Sequence, residues 1–214
     1  MIYTGLTTHP YAHASTLRNR RMTVKILVFE GFDELDAVGP YEVFQLAGRY
    51  GCDMSAELVT LTPTDRVVAR SGMRIEPHGT LEDSVADLVV VPGGGWNDDG
   101  PGVRVEYDRG EIPESLARLH AEGMTVASVC TGALLLAKAG LLDGRPATTH
   151  HTAVADLREL GVNVVEERVV DDGDVLTAGG ITSGFDLALH IVARECGESV
   201  AESVARELEY ERAI

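Results

Sequence analysis

Short apolar runs alternate along the chain with stretches whose apolar residues recur every three or four positions. The run at 24–29, Val24-Lys25-Ile26-Leu27-Val28-Phe29, predicts a strand buried on both faces. Gly39-Pro40 predicts a helix start, with Tyr41, Val43, Phe44, Leu46 and Ala47 on its inner face and Gly48 or Gly51 as its stop. A second strand follows at 56–61, and the segments 67–69 and 73–76, around Ser71-Gly72, form a small hairpin. The next buried strand, 87–91, runs into Pro92-Gly93-Gly94-Gly95, and 96–110 is a polar, acidic loop. A helix at 111–122 closes at Gly123, and a strand at 124–128 ends next to Cys130. A Leu-rich helix then runs to Ala139.

The C-terminal third continues the alternation. A short strand at 147–150 precedes a helix capped by Thr152 and ending at Gly161. Short strands at 162–165 and 167–170 are followed by a turn at Asp172-Gly173, and a strand at 175–177 leads into Ala178-Gly179-Gly180. Helices begin at Thr182-Ser183 and at Glu198, the last reaching Arg212. Strands alternating with helices predict an α/β fold, a three-layer sandwich with a mostly parallel central sheet. The expected organisation is a disordered extension at 1–21, which carries three arginines, no acid and no apolar core of a signal peptide, followed by a single domain at 22–214. Met22 is a candidate for the true start.

Composition excludes several partners. Lys+Arg 18 against Asp+Glu 34 leaves a net charge of −16, and only Lys25 and Lys138 are lysines. So large an excess of acid leaves too few cations to displace phosphate counterions, which argues against nucleic acid and against an anionic membrane. No apolar run has the length of a spanning helix. The excess of acid is a solvated surface that keeps the protein in solution, and its scarcity of lysine is like that of cytoplasmic proteins from salt-loving microbes. Three cysteines at irregular spacing, Cys52, Cys130 and Cys196, give no disulfide framework or zinc pattern. The expected compartment is a reducing cytoplasm, with Cys52 and Cys196 as structural thiols.

Ligands in such sheets sit beyond the carboxyl ends of the strands. Asp36, Gly93 to Gly95, Cys130 and Gly179-Gly180 all fall there. Ser128-Val129-Cys130-Thr131-Gly132 has the small-x-nucleophile-x-small spacing of a nucleophile elbow, a sharp turn that exposes its central side chain. A helix N-terminus behind Cys130 favours the thiolate, and the N–H of Thr131 with that of Gly94 or Gly95 could hold an oxyanion. The rival reading makes Cys130 a small buried hydrophobe. Asp36, between apolar neighbours, is either a helix cap or a carboxyl of raised pKa that passes protons to the thiol. His150 is either a base for Cys130 or a satisfied structural histidine. Asp186 either orients the Thr131 hydroxyl or is an ordinary helix-face acid. The glycine run lacks the helix start of a dinucleotide fingerprint.

Five ordered motifs, Leu35-Asp36-x-x-Gly39-Pro40-Tyr41-Glu42-Val43-Phe44, Val91-Pro92-Gly93-Gly94, the elbow, Gly140-Leu141-Leu142-Asp143-Gly144-Arg145-x-Ala147-Thr148-Thr149-His150 and Leu176-Thr177-x-Gly179-Gly180-Ile181-Thr182-x-Gly184-x-Asp186, resemble the DJ-1/PfpI superfamily over nearly all of 23–210. The likeness is strongest to its isonitrile hydratase-like branch. It implies a flavodoxin-like fold related to class I glutamine amidotransferases, Cys130 as nucleophile, Asp36 as proton relay and Thr131 as a positioning group. It implies a small-molecule substrate, no metal or organic cofactor, and a homodimer. Thr131 stands where PfpI-type peptidases and deglycases have His, and His151 where the hydratase-like sequences have Trp. The resemblance leaves two alternatives, a glyoxalase or stress-protective enzyme of the DJ-1 kind, and a ligand-sensing module like the front domain of AraC-type regulators.

Overall fold

The computed structural model describes residues 21–83 and 85–212. The expected extension at 1–21 lies outside them except for Arg21. In chain order the elements are β1 (Met22–Leu27), α1 (Glu34–Arg49), β2 (Met54–Thr60), β3 (Val67–Val68), β4 (Arg74–Ile75), β5 (Gly79–Thr80) and β6 (Leu88–Val91). Then come α2 (Val103–Arg109), α3 (Glu111–Ala121), β7 (Thr125–Val129), a 3-10 turn at Cys130–Gly132, α4 (Ala133–Lys138) and β8 (Pro146–Ala147). A second 3-10 turn at His151–Ala153, α5 (Val154–Glu159), β9 (Asn163–Val164), β10 (Val169–Asp171), β11 (Val175–Ala178), α6 (Ser183–Cys196) and α7 (Glu198–Glu207) complete the chain.

The main sheet runs β10-β11-β7-β6-β1-β2-β5, and every pair but β10–β11 is parallel. Strands buried on both faces need continuous apolar runs, and β6 and β7 provide them: Leu88, Val89, Val90, Val91, Val126, Ala127 and Val129 are fully buried. Helices α1, α6 and α7 pack together on one face, and α2 to α5 on the other. The result is the three-layer α/β sandwich with a mostly parallel sheet that the alternating pattern predicts. Small residues let α1 and α6 approach closely. A Cβ at Gly39 would lie 3.3 Å from the Phe185 ring, and one at Gly184 would lie 3.3 Å from the Pro40 ring.

Four local expectations are corrected. Helix α1 starts at Glu34, not at Pro40, because the Asp33 carboxylate accepts the Leu35 N–H at 3.2 Å and caps the first turn. That cap places Asp36 inside the first turn, and Pro40 sits in the helix without an N–H for the carbonyl of Asp36. The acidic segment 96–110 holds a helix, α2, whose inner face is Val103 and Glu106. The strand expected at 147–150 stops at Ala147 because the following groups serve the interior: the Thr148 N–H donates to Thr177 Oγ1 at 2.9 Å, and the Thr149 hydroxyl to the Cys130 carbonyl at 2.8 Å. The α5 helix is preceded by a turn capped by the His150 ring rather than by Thr152.

The cysteines are the largest correction. Cys52, just beyond α1, and Cys196, at the end of α6, form a disulfide with their Cα atoms 5.6 Å apart. Cys130 is free and buried. A separation of 144 residues carries no local signal, so spacing alone could not announce the pair. The bridge joins the C-terminal ends of the two helices whose N-terminal ends flank Cys130.

Candidate functional site

The site is built where β1, β6, β7 and β11 end. Strand β7 delivers Cys130 at φ 58°, a left-handed conformation uncommon for a side-chain-bearing residue. The turn must then fold tightly against the end of β6. A Cβ at Gly132 would lie 2.3 Å from the Val91 carbonyl oxygen, so glycine is required two residues after the cysteine. The Cys130 N–H donates to the Gly179 carbonyl at 2.9 Å, which ties the elbow to the end of β11. The tight strand-to-turn geometry expected of the elbow is therefore present, but the turn does not expose its central side chain: Cys130 is only 6% exposed.

Asp36 reaches the thiol from the first turn of α1 and is fully buried. Its Oδ2 accepts the Gly93 N–H at 2.9 Å. Its Oδ1 is buried with no hydrogen-bond partner among the described residues, and the Cys130 thiol lies against the same carboxyl. Burial, with a smaller push from the Asp33 carboxylate, holds Asp36 well above the usual carboxylate range, against the opposing pull of Gly93 and Cys130. The thiol answers in kind. Burial first, then the Asp36 carboxylate, push Cys130 up to about 12, more than the N–H groups of Thr131 and Ile181 can offset. The N–H groups at the helix start do favour the thiolate, as expected, but burial outweighs them. The turn behind Cys130 is short, and desolvation outweighs its dipole. Two acids this close behave as a pair. A proton on Asp36 removes the charge that opposes the thiolate.

Gly93 is the hub of this arrangement. A Cβ there would lie 2.7 Å from the Thr131 nitrogen and 2.8 Å from both Asp36 Oδ2 and Cys130 Cβ. Gly94 faces the site in another way. Its N–H donates to Thr131 Oγ1 at 3.0 Å, and the Thr131 hydroxyl returns a bond to the Gly94 carbonyl at 3.0 Å. The Gly94 N–H expected for an oxyanion is therefore engaged. Gly95 packs against the neighbouring loop, where its Cβ would lie 2.7 Å from the Pro101 carbonyl oxygen. The N–H groups that favour a charged Sγ are those of Thr131 and Ile181. Ile181 has φ 40°, and this conformation at the entry to α6 was not legible in the sequence beyond the glycines before it.

The remaining candidates separate. His150 lies at the rim, against Gly180, where a Cβ would meet the ring at 2.4 Å. Its Nδ1 accepts the Thr152 N–H at 3.3 Å and sits 2.8 Å from the Thr152 hydroxyl, and its ring lies 4.2 Å from that of His151. Burial and then the His151 ring lower its pKa. Asp186 does not orient Thr131. Its Oδ2 accepts Arg168 Nε at 2.7 Å and the Tyr210 hydroxyl at 3.1 Å, fastening the C-terminal segment. Arg70, from the β3–β4 hairpin, is a charged neighbour missed by motif reading. It pairs with Asp98, and the Asp98 bond, with smaller pushes from Asp33 and Cys130, raises its pKa.

A buried thiol on a strand-to-helix elbow, facing a buried carboxyl at the carboxyl ends of a flavodoxin-like sheet, defines a class of thiol-centred proteins. Residues 22–194 match the family model described as the DJ-1/PfpI family, and the chain belongs to that family. It is 36% identical to an isonitrile hydratase from Pseudomonas putida over 88% of this chain and 78% of that protein. It is 30% identical to the transcriptional regulator CdhR of Pseudomonas aeruginosa over 85% of this chain but only 53% of the regulator. Among solved structures, a THiJ/PfpI family protein from Pseudomonas syringae superposes with a TM-score of 0.79 at 27% identity, covering 96% of this chain and 85% of the other.

Proposed function

We propose that the protein hydrates isonitriles to N-substituted formamides through a covalent intermediate on Cys130. The observation that carries this reading is the Asp36 carboxyl buried against the Cys130 thiol, with Thr131 rather than a histidine as the next residue. Such a pair holds one mobile proton and offers one sulfur nucleophile. An isonitrile needs both at the same atom, because its terminal carbon must accept a proton and a nucleophile. The 36% identity to an isonitrile hydratase supports the same substrate class.

In the first step the Cys130 sulfur bonds to the terminal carbon of R–N≡C while the proton shared with Asp36 goes to that carbon. The product is a thioimidate, Cys130–S–CH=N–R. The N–H groups of Thr131 and Ile181 stabilise the sulfur while it carries charge. In the second step Asp36, now a carboxylate, takes a proton from water, and the oxygen bonds to the same carbon. The proton taken by Asp36 passes to the nitrogen, breaking the C–S bond returns its electron pair to sulfur, the hydroxyl proton goes back to the Asp36–Cys130 pair, and R–NH–CHO leaves. One water is consumed, and nothing is oxidised or reduced. In this reading the substrate is a small molecule and the working unit a homodimer.

The test is formamide production from alkyl and aryl isonitriles by the purified protein, with Cys130→Ala and Asp36→Ala beside it. Product from wild type, none from Cys130→Ala and a loss of at least about a hundredfold in Asp36→Ala is the expected result. No formamide from any isonitrile refutes it. A second reading, ligand sensing, is favoured by the similarity to CdhR. It predicts isonitrile or other ligand binding without turnover in the same panel, and methylglyoxal in a parallel arm tests glyoxalase chemistry.

A further inference from the structure

The loop carrying Gly93 and Gly94 makes three hydrogen bonds into the site, so whatever holds that loop sets the geometry of Asp36 and Cys130. Its far end is gripped by a cluster centred on Trp96. Trp96 is 6% exposed, and its indole N–H donates to Asp156 Oδ2 in α5 at 2.8 Å. The Arg104 guanidinium lies 3.5 Å over the indole ring, and Arg104 Nε donates to the Trp96 carbonyl at 3.2 Å. The Tyr107 ring meets the indole edge-on at 5.3 Å. One residue earlier, the Gly95 carbonyl accepts the Arg104 N–H at 2.9 Å. One residue later, the Asn97 amide reaches the Thr152 carbonyl at 3.4 Å. This cluster lies outside every motif quoted above and makes no contact with the thiol.

We propose that Trp96 and Asp156 form a strut whose task is to position the Gly93–Gly94 loop against Asp36 and Cys130. Trp96 is thus a positioning residue. It acts through the Gly93 N–H, the backbone donor that the structure places on Asp36. Stacking under Arg104 fixes the ring plane, and the bond to Asp156 fixes its rotation. With the ring fixed, the backbone three residues upstream is held between β6 and α5. The expectation rests on Asp36 and Cys130 titrating together, not on the identity of the substrate, so a failed hydratase assay leaves it standing.

The readout is the rate of Cys130 alkylation by iodoacetamide as a function of pH. While both groups hold protons, the rate climbs with pH. Once the pair has lost one proton the rate levels, so the first inflection reports the titration of Asp36. Accessibility of the thiol changes the height of the curve but not the inflection. Other charges facing the pair are Asp33 at the α1 cap and Arg70 on the hairpin, with His150 across from Asp33. The variants below leave all three in the chain.

Trp96→Phe keeps a stacked ring but removes the indole N–H, and Asp156→Ala removes its acceptor. Both weaken the Gly93 N–H on the carboxylate, and a carboxylate that loses a donor protonates more readily. The inflection moves to higher pH by about half a unit or more in each, a threefold change in the proton affinity of Asp36. Asp156→Asn retains an acceptor oxygen and holds the wild-type inflection. Asp156 is on a partly exposed helix face, so its variants remain informative if Trp96→Phe does not fold. An unmoved inflection in Asp156→Ala overturns the proposal. So does Asp156→Asn shifting as far as Asp156→Ala, since charge rather than the bond would then be responsible.

Discussion

Breaking the Cys52–Cys196 bridge tests the fold at the place where the sequence was silent. The bridge closes a loop of 144 residues. Chain-entropy arguments put the resulting restriction of the denatured state on the order of 5 kcal/mol for a loop that long. Native disulfides deliver less when the reduced denatured chain keeps structure, so about 2 kcal/mol is the lower expectation. For a chain of this size each kcal/mol moves the melting temperature by roughly 2–4 °C, so reduction lowers it by at least about 4 °C. Two perturbations read the same bond. Dithiothreitol removes only the S–S link, whereas Cys52→Ala with Cys196→Ala also empties a little volume beside α1, so the double variant melts no higher than the reduced wild type. Counting thiols in the denatured, unreduced protein comes first, and one per chain, Cys130, is expected. Three thiols per chain, or a melting temperature that reductant moves by less than about 1 °C, refutes the reasoning.

The Asp36 carboxyl sets a second expectation. Its folded pKa lies above the ordinary value of 3.8, so its contribution to stability is fullest below that value and is lost as pH rises through the folded pKa. Asn is neutral throughout, so Asp36→Asn resists urea better than wild type at pH 8, and the gap narrows as pH approaches 4. A gap that stays constant across that range rejects the burial argument. The same variant removes the carboxylate that helps hold Cys130 at about 12, so iodoacetamide alkylation near neutral pH becomes faster although hydration is lost. Gly93→Ala forces a Cβ into Thr131, Asp36 and Cys130 at once, which costs about 1–3 kcal/mol of stability and most of the turnover. Unchanged urea midpoints and turnover would show that the hub tolerates a side chain.

How much of this was legible depended on whether the cause was local. The buried strands announced themselves because a strand covered on both faces must be apolar throughout, as β6 and β7 are. The elbow was legible because its turn constrains the residue two after the cysteine to be glycine. Most of what was missed has its cause far along the chain. Strand β5 is two residues long, and the buried Lys25 ammonium, which donates to the Thr80 and Leu81 carbonyls at 3.1 and 2.8 Å, bonds to its end. Asp186 sits in a motif near the glycines of β11, yet its partners are Arg168 and Tyr210. Gly-Pro gave a valid helix signal six residues too late, since a stronger cap, Asp33, lay upstream.

The same difference explains why the thiol pKa could not be read from its local sequence. A helix start after a cysteine is a local sign, and on its own it lowers a thiol pKa. Burial is a sum over the whole fold, and here it raises both acids of the pair. A thiol held at about 12 by burial and by a neighbouring carboxylate is a weak nucleophile while that carboxylate is ionised. In the proposed reaction this is an advantage. The thiol stays protonated until a substrate carbon is at hand to take the proton, and transfer through Asp36 generates the nucleophile and the electrophile in one step. Burial then protects the resting thiol from adventitious oxidation and alkylation, since attack on soluble reagents requires the thiolate. An exposed, low-pKa cysteine would be the better general nucleophile. A buried one sharing a proton with a carboxyl suits a substrate that must receive sulfur and hydrogen on the same atom.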